Sequence, residues 1–193
     1  QSRGLGDVYK RQITDRVVAG GDTIATARVL AEAIKKYGQF DLILGGALSA
    51  DGATGQVGAM VAECLGIPHI CEIQSIKYDE AAPDKIEAVK KVYGERLLVR
   101  TALPAVLSVN FGCNVPRLAT LRSTRAAKNK PLATYTNADL NLPEDQVGIK
   151  GSPTAVIDSF EPTGGRMAEM LTGTPEELAV KLKDLIDEEK GNL

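Results

Sequence analysis

One stretch constrains this chain more than any other: Asp41-Leu-Ile-Leu-Gly-Gly-Ala-Leu-Ser-Ala-Asp-Gly-Ala-Thr-Gly-Gln-Val-Gly58. Its short apolar run, Leu42 to Leu44, is bounded by a charge before it and glycines after it, which reads as a buried strand. A turn-rich segment follows, with Gly45, Gly46, Ser49, Asp51, Gly52, Thr54, Gly55 and Gly58. From about Val57 to Leu65 the pattern is helical, with Met60, Val61, Cys64 and Leu65 on one side and Gly66 as the stop. Strand, glycine-rich loop and helix start together form an anion site. Glycine lets backbone approach a ligand, and a helix N-terminus points unpaired N–H groups at it. The anion expected is a nucleotide phosphate. No Gly-Lys-Ser/Thr follows and no Gly-x-Gly-x-x-Gly is present. The same pattern also suits a loop that only turns the chain from strand to helix.

The flanking segments extend this unit. Gly20-Gly21-Asp22-Thr23 precedes a helical run, Ile24 to Tyr37, with Ala27, Leu30, Ala31 and Ile34 on one face. Asp22 or Thr23 is the expected N-cap, and Gly38 the terminator. Pro68 to Ile73 reads as the next strand. Helices alternating with buried strands imply a parallel α/β sheet. Ile73 to Tyr78, Lys85 to Tyr93 and Arg96 to Thr101 have the alternation of antiparallel edge strands. Leu103 to Val109 returns to a buried strand, and Asn110 to Pro116 is a polar turn. Arg117 to Lys128 has a helical pattern with cations Arg117, Arg122, Arg125 and Lys128, which taken alone suit a solvated face. Lys130 to Asp139 reads as a short strand and turn, Leu140 to Pro153 as a surface connection, and Thr154 to Phe160 as one more strand. Thr174-Pro175-Glu176-Glu177 opens a last helix, with Leu178, Leu182, Leu185 and Ile186 as an apolar face.

Composition narrows the function. A chain of 193 residues fits one domain, or one domain with an extension, and net charge −2 gives no electrostatic basis for nucleic-acid binding. Aromatic content of 4 % argues against a base-stacking platform. No apolar run reaches the length of a membrane span. Cys64, Cys71 and Cys113 lack metal-ligand spacing, so no metal site is expected, and their number fits a reducing compartment better than a disulfide framework. His69 is the single histidine, expected to be structural. With no Gly-x-Ser-x-Gly elbow and no base to place beside Cys113, no catalytic residue is assigned. Redox chemistry here would need a bound cofactor.

Four pieces of sequence carry a family resemblance: Gly20-Gly-Asp-Thr23, Asp51-Gly-Ala-Thr-Gly-Gln-Val-Gly58, Leu103-Pro-Ala-Val-Leu-Ser108, and Asn114-Val-Pro-Arg-Leu-Ala-Thr-Leu121 followed by a basic segment. In this order and spacing the chain resembles the β subunit of electron-transfer flavoprotein from about Ile13 to its end. The resemblance implies an α/β, Rossmann-like fold of the adenine nucleotide alpha hydrolase type: a mostly parallel sheet, antiparallel edge strands and a C-terminal helical arm. It implies a nucleotide-binding domain over 13–140, with 141–193 as an extension and helix docking on a partner subunit.

It further implies a cytoplasmic heterodimer with an α subunit. Electrons would pass between dehydrogenases, such as the acyl-CoA dehydrogenases of fatty acid β-oxidation, and an acceptor through FAD. AMP or a second FAD would rest on Asp51, Gly52, Ala53, Thr54, Gly55, Gln56, Val57 and Gly58, with Asp22 and Thr23 beside it. The wording of the loop resembles the bifurcating members, which hold FAD there. Leu121 matches the apolar residue the family inserts into a dehydrogenase pocket, with Arg117, Arg122 and Arg125 around it. Considered without the resemblance, Leu121 also suits the buried face of a helix. Two other readings stay open: a free-standing adenine-nucleotide-binding module, and a hydrolase using Asp51 or Cys113.

The chain also departs from the family. Ala47 and Leu48 stand where the family has a Lys-Gln pair, and the acidic-glycine cluster is replaced around Tyr93 to Arg96. Residues 1–12 do not resemble what precedes Ile13 in the family. The expectation is a fragment with a foreign or misread N-terminus and an open sheet edge. Such a chain is expected to be unstable alone; a cooperative, monomeric melt would contradict that.

Overall fold

A computed structural model describes residues 10–116, 118–160 and 170–191. The chain divides into two compact units, the first ending at Ala155 and the second starting at Val156. In the first, β1 (Lys10–Ile13) is followed by α1 (Thr23–Tyr37), β2 (Leu42–Gly46), α2 (Val57–Leu65), β3 (His69–Tyr78), β4 (Lys85–Val92), β5 (Glu95–Ala102) and β6 (Ala105–Val109). Then come α3 (Leu121–Lys128), β7 (Leu132–Tyr135), α4 (Asn137–Leu140) and a 3-10 turn, Glu144–Gln146. The main sheet has order β2-β6-β3-β4-β5, and β1 pairs with β7 in a separate two-stranded parallel sheet. This is a Rossmann-like α/β fold: β2, β6 and β3 run parallel, while β4 and β5 add an antiparallel extension.

The helix boundaries follow local chemistry. α1 begins after Asp22 and stops at Gly38, and α2 stops at Gly66, whose left-handed φ of 67° suits glycine. The buried face of α1 differs from the expected one. Ala27 and Ala31 are buried, but so are Ala25, Val29 and Ala33, while Leu30 is exposed. The helix packs on α2 and α4, so apolar contact on more than one side replaces a single stripe.

β3 is one continuous strand where two were expected. Its first part pairs parallel with β6 and its second antiparallel with β4, with the ladder shifting between Ile70 and Ile73. Glu72, at φ 54°, sits at that shift, and its N–H donates to Ser108 Oγ. The irregularity lets one strand serve two kinds of neighbour. β4 and β5 form a hairpin through Tyr93 and Gly94, both at positive φ, as a tight hairpin turn requires.

Two apolar clusters hold the unit. Ile70, Ile73, Ile86, Ala88 and Leu107 form the sheet core. Val29, Ala33, Leu140 and Val147 form a second, with Ile13, Val17, Tyr37 and Leu142 packed against it. This second cluster corrects the reading of 140–153 as a surface connection, because Val147 is fully buried. One apolar residue in a polar stretch has no periodicity to reveal it. Two further expectations are corrected. Residues 154–160 form no strand. The run Leu42–Leu44 lies in the edge strand β2, which leaves Leu44 56 % exposed, rather than in a buried strand.

The second unit contains α5 (Pro175–Gly191). Its start is a capping box: Thr174 N–H donates to Glu177 Oε2 at 2.9 Å, and Glu177 N–H donates to Thr174 Oγ1 at 3.4 Å. Val180, Leu182, Leu185 and Ile186 on this helix are exposed. No helix among the described residues is long and apolar enough to cross a membrane.

Candidate functional site

The carboxyl ends of β2 and β6 lie side by side, with Gly46 opposite Val109. The loop leaving β2 is tied to β6 at once, where Ala47 N–H donates to Val109 O at 2.9 Å. It then folds on itself: Ala53 N–H donates to Ser49 O at 3.1 Å, and Gly52 N–H donates to Asp51 Oδ1 at 2.8 Å. The Ser49 hydroxyl and the Gly52 N–H hold the Asp51 carboxyl below its ordinary pKa. Asp51 therefore stays ionised, and its charge shapes the turn.

Ala53 and Gly55 adopt left-handed φ values of 47° and 65°. For alanine that conformation is strained. A Cβ on Gly55 would lie 3.4 Å from Ala47 O, so the loop closes tightly there. Asp51, Gly52, Ala53, Thr54 and Gln56 are exposed, while Gly55, Val57 and Gly58 are half-buried.

The loop ends at α2, and this helix start is open. Gln56 occupies the cap position in a helical conformation without a side-chain cap hydrogen bond. Met60 N–H donates to Gln56 O, which leaves the amides of Val57, Gly58 and Ala59 ahead of the first intrahelical bond. The first turn carries no acidic residue. These amides are a ready anion cradle. A Cβ on Gly58 would meet only Ser108 Cβ, at 3.5 Å, an ordinary contact.

The start of α1 is closed. Asp22 Oδ1 accepts from Ile24 and Ala25 N–H, both at 3.0 Å. Asp22 Oδ2 accepts from Thr154 N–H at 3.2 Å and Thr154 Oγ1 at 2.9 Å. Asp22 N–H donates to Ser152 Oγ at 2.8 Å, and Ser152 Oγ donates to Gly148 O at 2.7 Å. The Ala25 N–H above all, then Thr154 and the Ile24 N–H, lower the Asp22 pKa. Thr23 Oγ1 donates to Gln56 Oε1 at 3.3 Å, linking the closed helix start to the open one.

The turn at 148–154 is a feature that periodicity missed. A Cβ on Gly148 would lie 2.0 Å from Val17 O, and one on Gly151 would lie 2.1 Å from the Gln146 carbonyl carbon. The signal available in the sequence was the pair Gly148 and Gly151 just before Ser152-Pro-Thr154.

The other predicted residues lie apart in the chain, around α3. Leu121 is its first residue and is 70 % exposed, so it is not a buried helix face. Thr120 caps the helix by accepting from Ser123 N–H at 3.2 Å. Arg122 and Arg125 are exposed and make no ion pair among the described residues. Arg117 lies outside the described residues. Phe111, Val115 and Leu118, on the way from β6 to α3, are exposed as well.

Elsewhere, a cleft of about 540 Å³ opens between β3, β4 and β5 and the Phe111–Gly112 turn, with Arg96 on its wall. It does not include the loop. His69 is exposed, and its Nε2 lies 2.9 Å from Cys71 Sγ. Among the described residues no group of three or more His, Cys, Asp or Glu could hold a metal ion.

Residues 3–140 match the electron transfer flavoprotein domain family. Over 176 residues the chain is 32 % identical to the electron transfer flavoprotein subunit beta of Thermoanaerobacterium thermosaccharolyticum, covering 91 % of this chain and 66 % of that protein. It is 34 % identical to the subunit of the same name from Methylophilus methylotrophus, covering 93 % of this chain and 67 % of the relative. It is 32 % identical to the caffeyl-CoA reductase-Etf complex subunit CarD of Acetobacterium woodii, covering 84 % of this chain and 61 % of that protein. The chain thus spans about two thirds of the length of these curated relatives.

Proposed function

We propose an electron-transfer role as a β subunit for this chain, which belongs to the electron transfer flavoprotein family. In this reading it pairs with an α subunit in a cytoplasmic heterodimer and serves electron passage between a dehydrogenase of the acyl-CoA dehydrogenase type and an acceptor. The observation that carries the nucleotide part is the open start of α2 behind a glycine-rich loop. Uncapped amides at a helix start favour a phosphate, and the small Gly58 leaves room for it.

The residues present fit an AMP or the phosphates of an FAD. The amides of Val57, Gly58 and Ala59 hold the phosphate, Thr54 and Gln56 add polar side chains, and Gly55 makes the turn. Asp51, kept ionised, repels phosphate and contributes by holding the loop. A bound FAD would supply one- and two-electron chemistry, whereas AMP would be structural. Leu121, Arg122 and Arg125, with the exposed Phe111, Val115 and Leu118, form the surface for the dehydrogenase: an apolar anchor beside cations suits a specific, transient contact.

The test is to co-express the chain with an α subunit, extract the bound nucleotides and count them. Two FAD per heterodimer means a flavin rests on the loop. One FAD and one AMP means the β site is structural. No nucleotide beyond the α-subunit FAD overturns the assignment of the loop.

A further inference from the structure

A side-chain hydrogen bond ties the open helix start to the closed one. Gln56 stands at the mouth of the loop, at the cap position of α2, and its side chain makes no cap hydrogen bond to the helix. Its carboxamide oxygen accepts from Thr23 Oγ1. A primary amide has one acceptor end and one donor end. With the acceptor end occupied by Thr23, the NH2 end remains for a ligand, and it adds two N–H donors to the amides of Val57, Gly58 and Ala59. Without Thr23 the amide can rotate and present its oxygen, which an anion disfavours.

Thr23 is itself held in place. It is the first residue of α1, between the capping Asp22 and the amides of Ile24 and Ala25 that Asp22 binds. Asp22 in turn is gripped by Thr154 and by Ser152, whose hydroxyl is anchored on Gly148 O. Arg28, one turn into α1, reaches the same segment through Gly151 O at 3.4 Å. A polar relay therefore runs from Thr154 through Asp22 and Thr23 to Gln56, joining residues 132 apart in sequence at its first step.

We propose that Thr23 is a positioning residue for the nucleotide site, orienting Gln56 so that its amide donors face the phosphate, and that the Ser152–Thr154 segment sets Thr23. This rests on the reading that the loop holds a nucleotide phosphate. The ligand class is a nucleoside phosphate, and the relay touches it only at Gln56.

Isothermal titration of AMP into the full chain, co-expressed with an α subunit and freed of bound nucleotide, tests it, with T23V, T23S, Q56A and the double variant T23V/Q56A. Q56A is expected to weaken binding about tenfold, as loss of a hydrogen bond to a charged group does. T23V is expected to weaken it by a similar or smaller factor, and T23S to restore it. The double variant is expected to bind no more weakly than Q56A alone, because Thr23 acts only through Gln56. Thermal melts of each variant separate folding from binding. An unchanged affinity in T23V, or a T23V effect that adds in full to that of Q56A, overturns the relay while leaving the nucleotide site standing. A lower melting temperature in T23V with unchanged affinity assigns Thr23 to α1 alone and also overturns it. Failure of the unsubstituted chain to bind AMP or FAD removes the site itself, and the relay with it.

Discussion

The two helices beside the loop begin in opposite ways. α1 starts on a carboxylate whose two oxygens take four hydrogen-bond donors, two from its own first turn and two from Thr154. α2 starts on a glutamine whose side chain makes no cap hydrogen bond, and its first amides have no acceptor among the described residues. An identical backbone dipole is consumed in one case and left available in the other. The closed start is a joint that binds the 148–154 turn to the domain. The open start leaves its helix-end charge unfilled by any side chain among the described residues. Both follow glycine-containing turns, so glycine alone does not separate a joint from a binding loop.

The largest expected effect falls on the closed start. Gly148→Ala places a Cβ against Val17 O at a left-handed φ of 57°, and it should cost roughly 3 kcal/mol or more of stability. Denaturant unfolding measures this. A loss under about 1 kcal/mol would mean the turn is not a rigid joint.

At the open start, Gly58→Ala pulls stability and binding apart. Its Cβ meets only an ordinary contact, and alanine is the better helix former by about 1 kcal/mol. The variant should melt higher and bind AMP or FAD several-fold more weakly. Tighter binding, or no change, would break the assignment of the amide cradle.

The cap itself titrates. The Asp22 pKa is lowered by the Ala25 amide above all, then by the Thr154 hydroxyl and amide. Its stabilising effect is fully present above the ordinary aspartate value of about 3.9 and is lost as pH falls through the lower folded value. The difference in melting temperature between the parent chain and Asp22→Ala should be constant at neutral pH and close at strongly acid pH. A gap that persists after protonation would show that Asp22 acts through packing.

The smallest effect on folding belongs to Leu121→Ala. At 70 % exposure the change should shift stability by less than about 0.5 kcal/mol. If the proposed dehydrogenase docks there, the change should nonetheless weaken its binding about tenfold or more, as loss of an interface anchor does. Equal binding by the variant would remove the docking role.

Much of this was legible beforehand, unevenly. Asp22, Gly38 and Gly66 mark helix ends through chemistry that acts within one turn, so the limits of α1 and α2 follow from local sequence. The hairpin of β4 and β5 shows in its alternation, although its turn sits at Tyr93 and Gly94, one position earlier than read. Val147 did not show, because a single buried valine has no period. Leu42 to Leu44 misled, because an apolar run does not say whether neighbours lie on both sides of its strand.

What the sequence alone determined is the alternation of helices and strands, the glycine-rich loop between β2 and α2, and the family likeness of both. Those features depend on residues a few positions apart. What only the tertiary structure decided is what the rest of the Asp22 cap holds. Its second carboxylate oxygen and its N–H are taken by Thr154 and Ser152, which lie 132 and 130 residues away. A hydrogen bond over that separation exists only after the chain has folded, since forming it requires every intervening element to be in place.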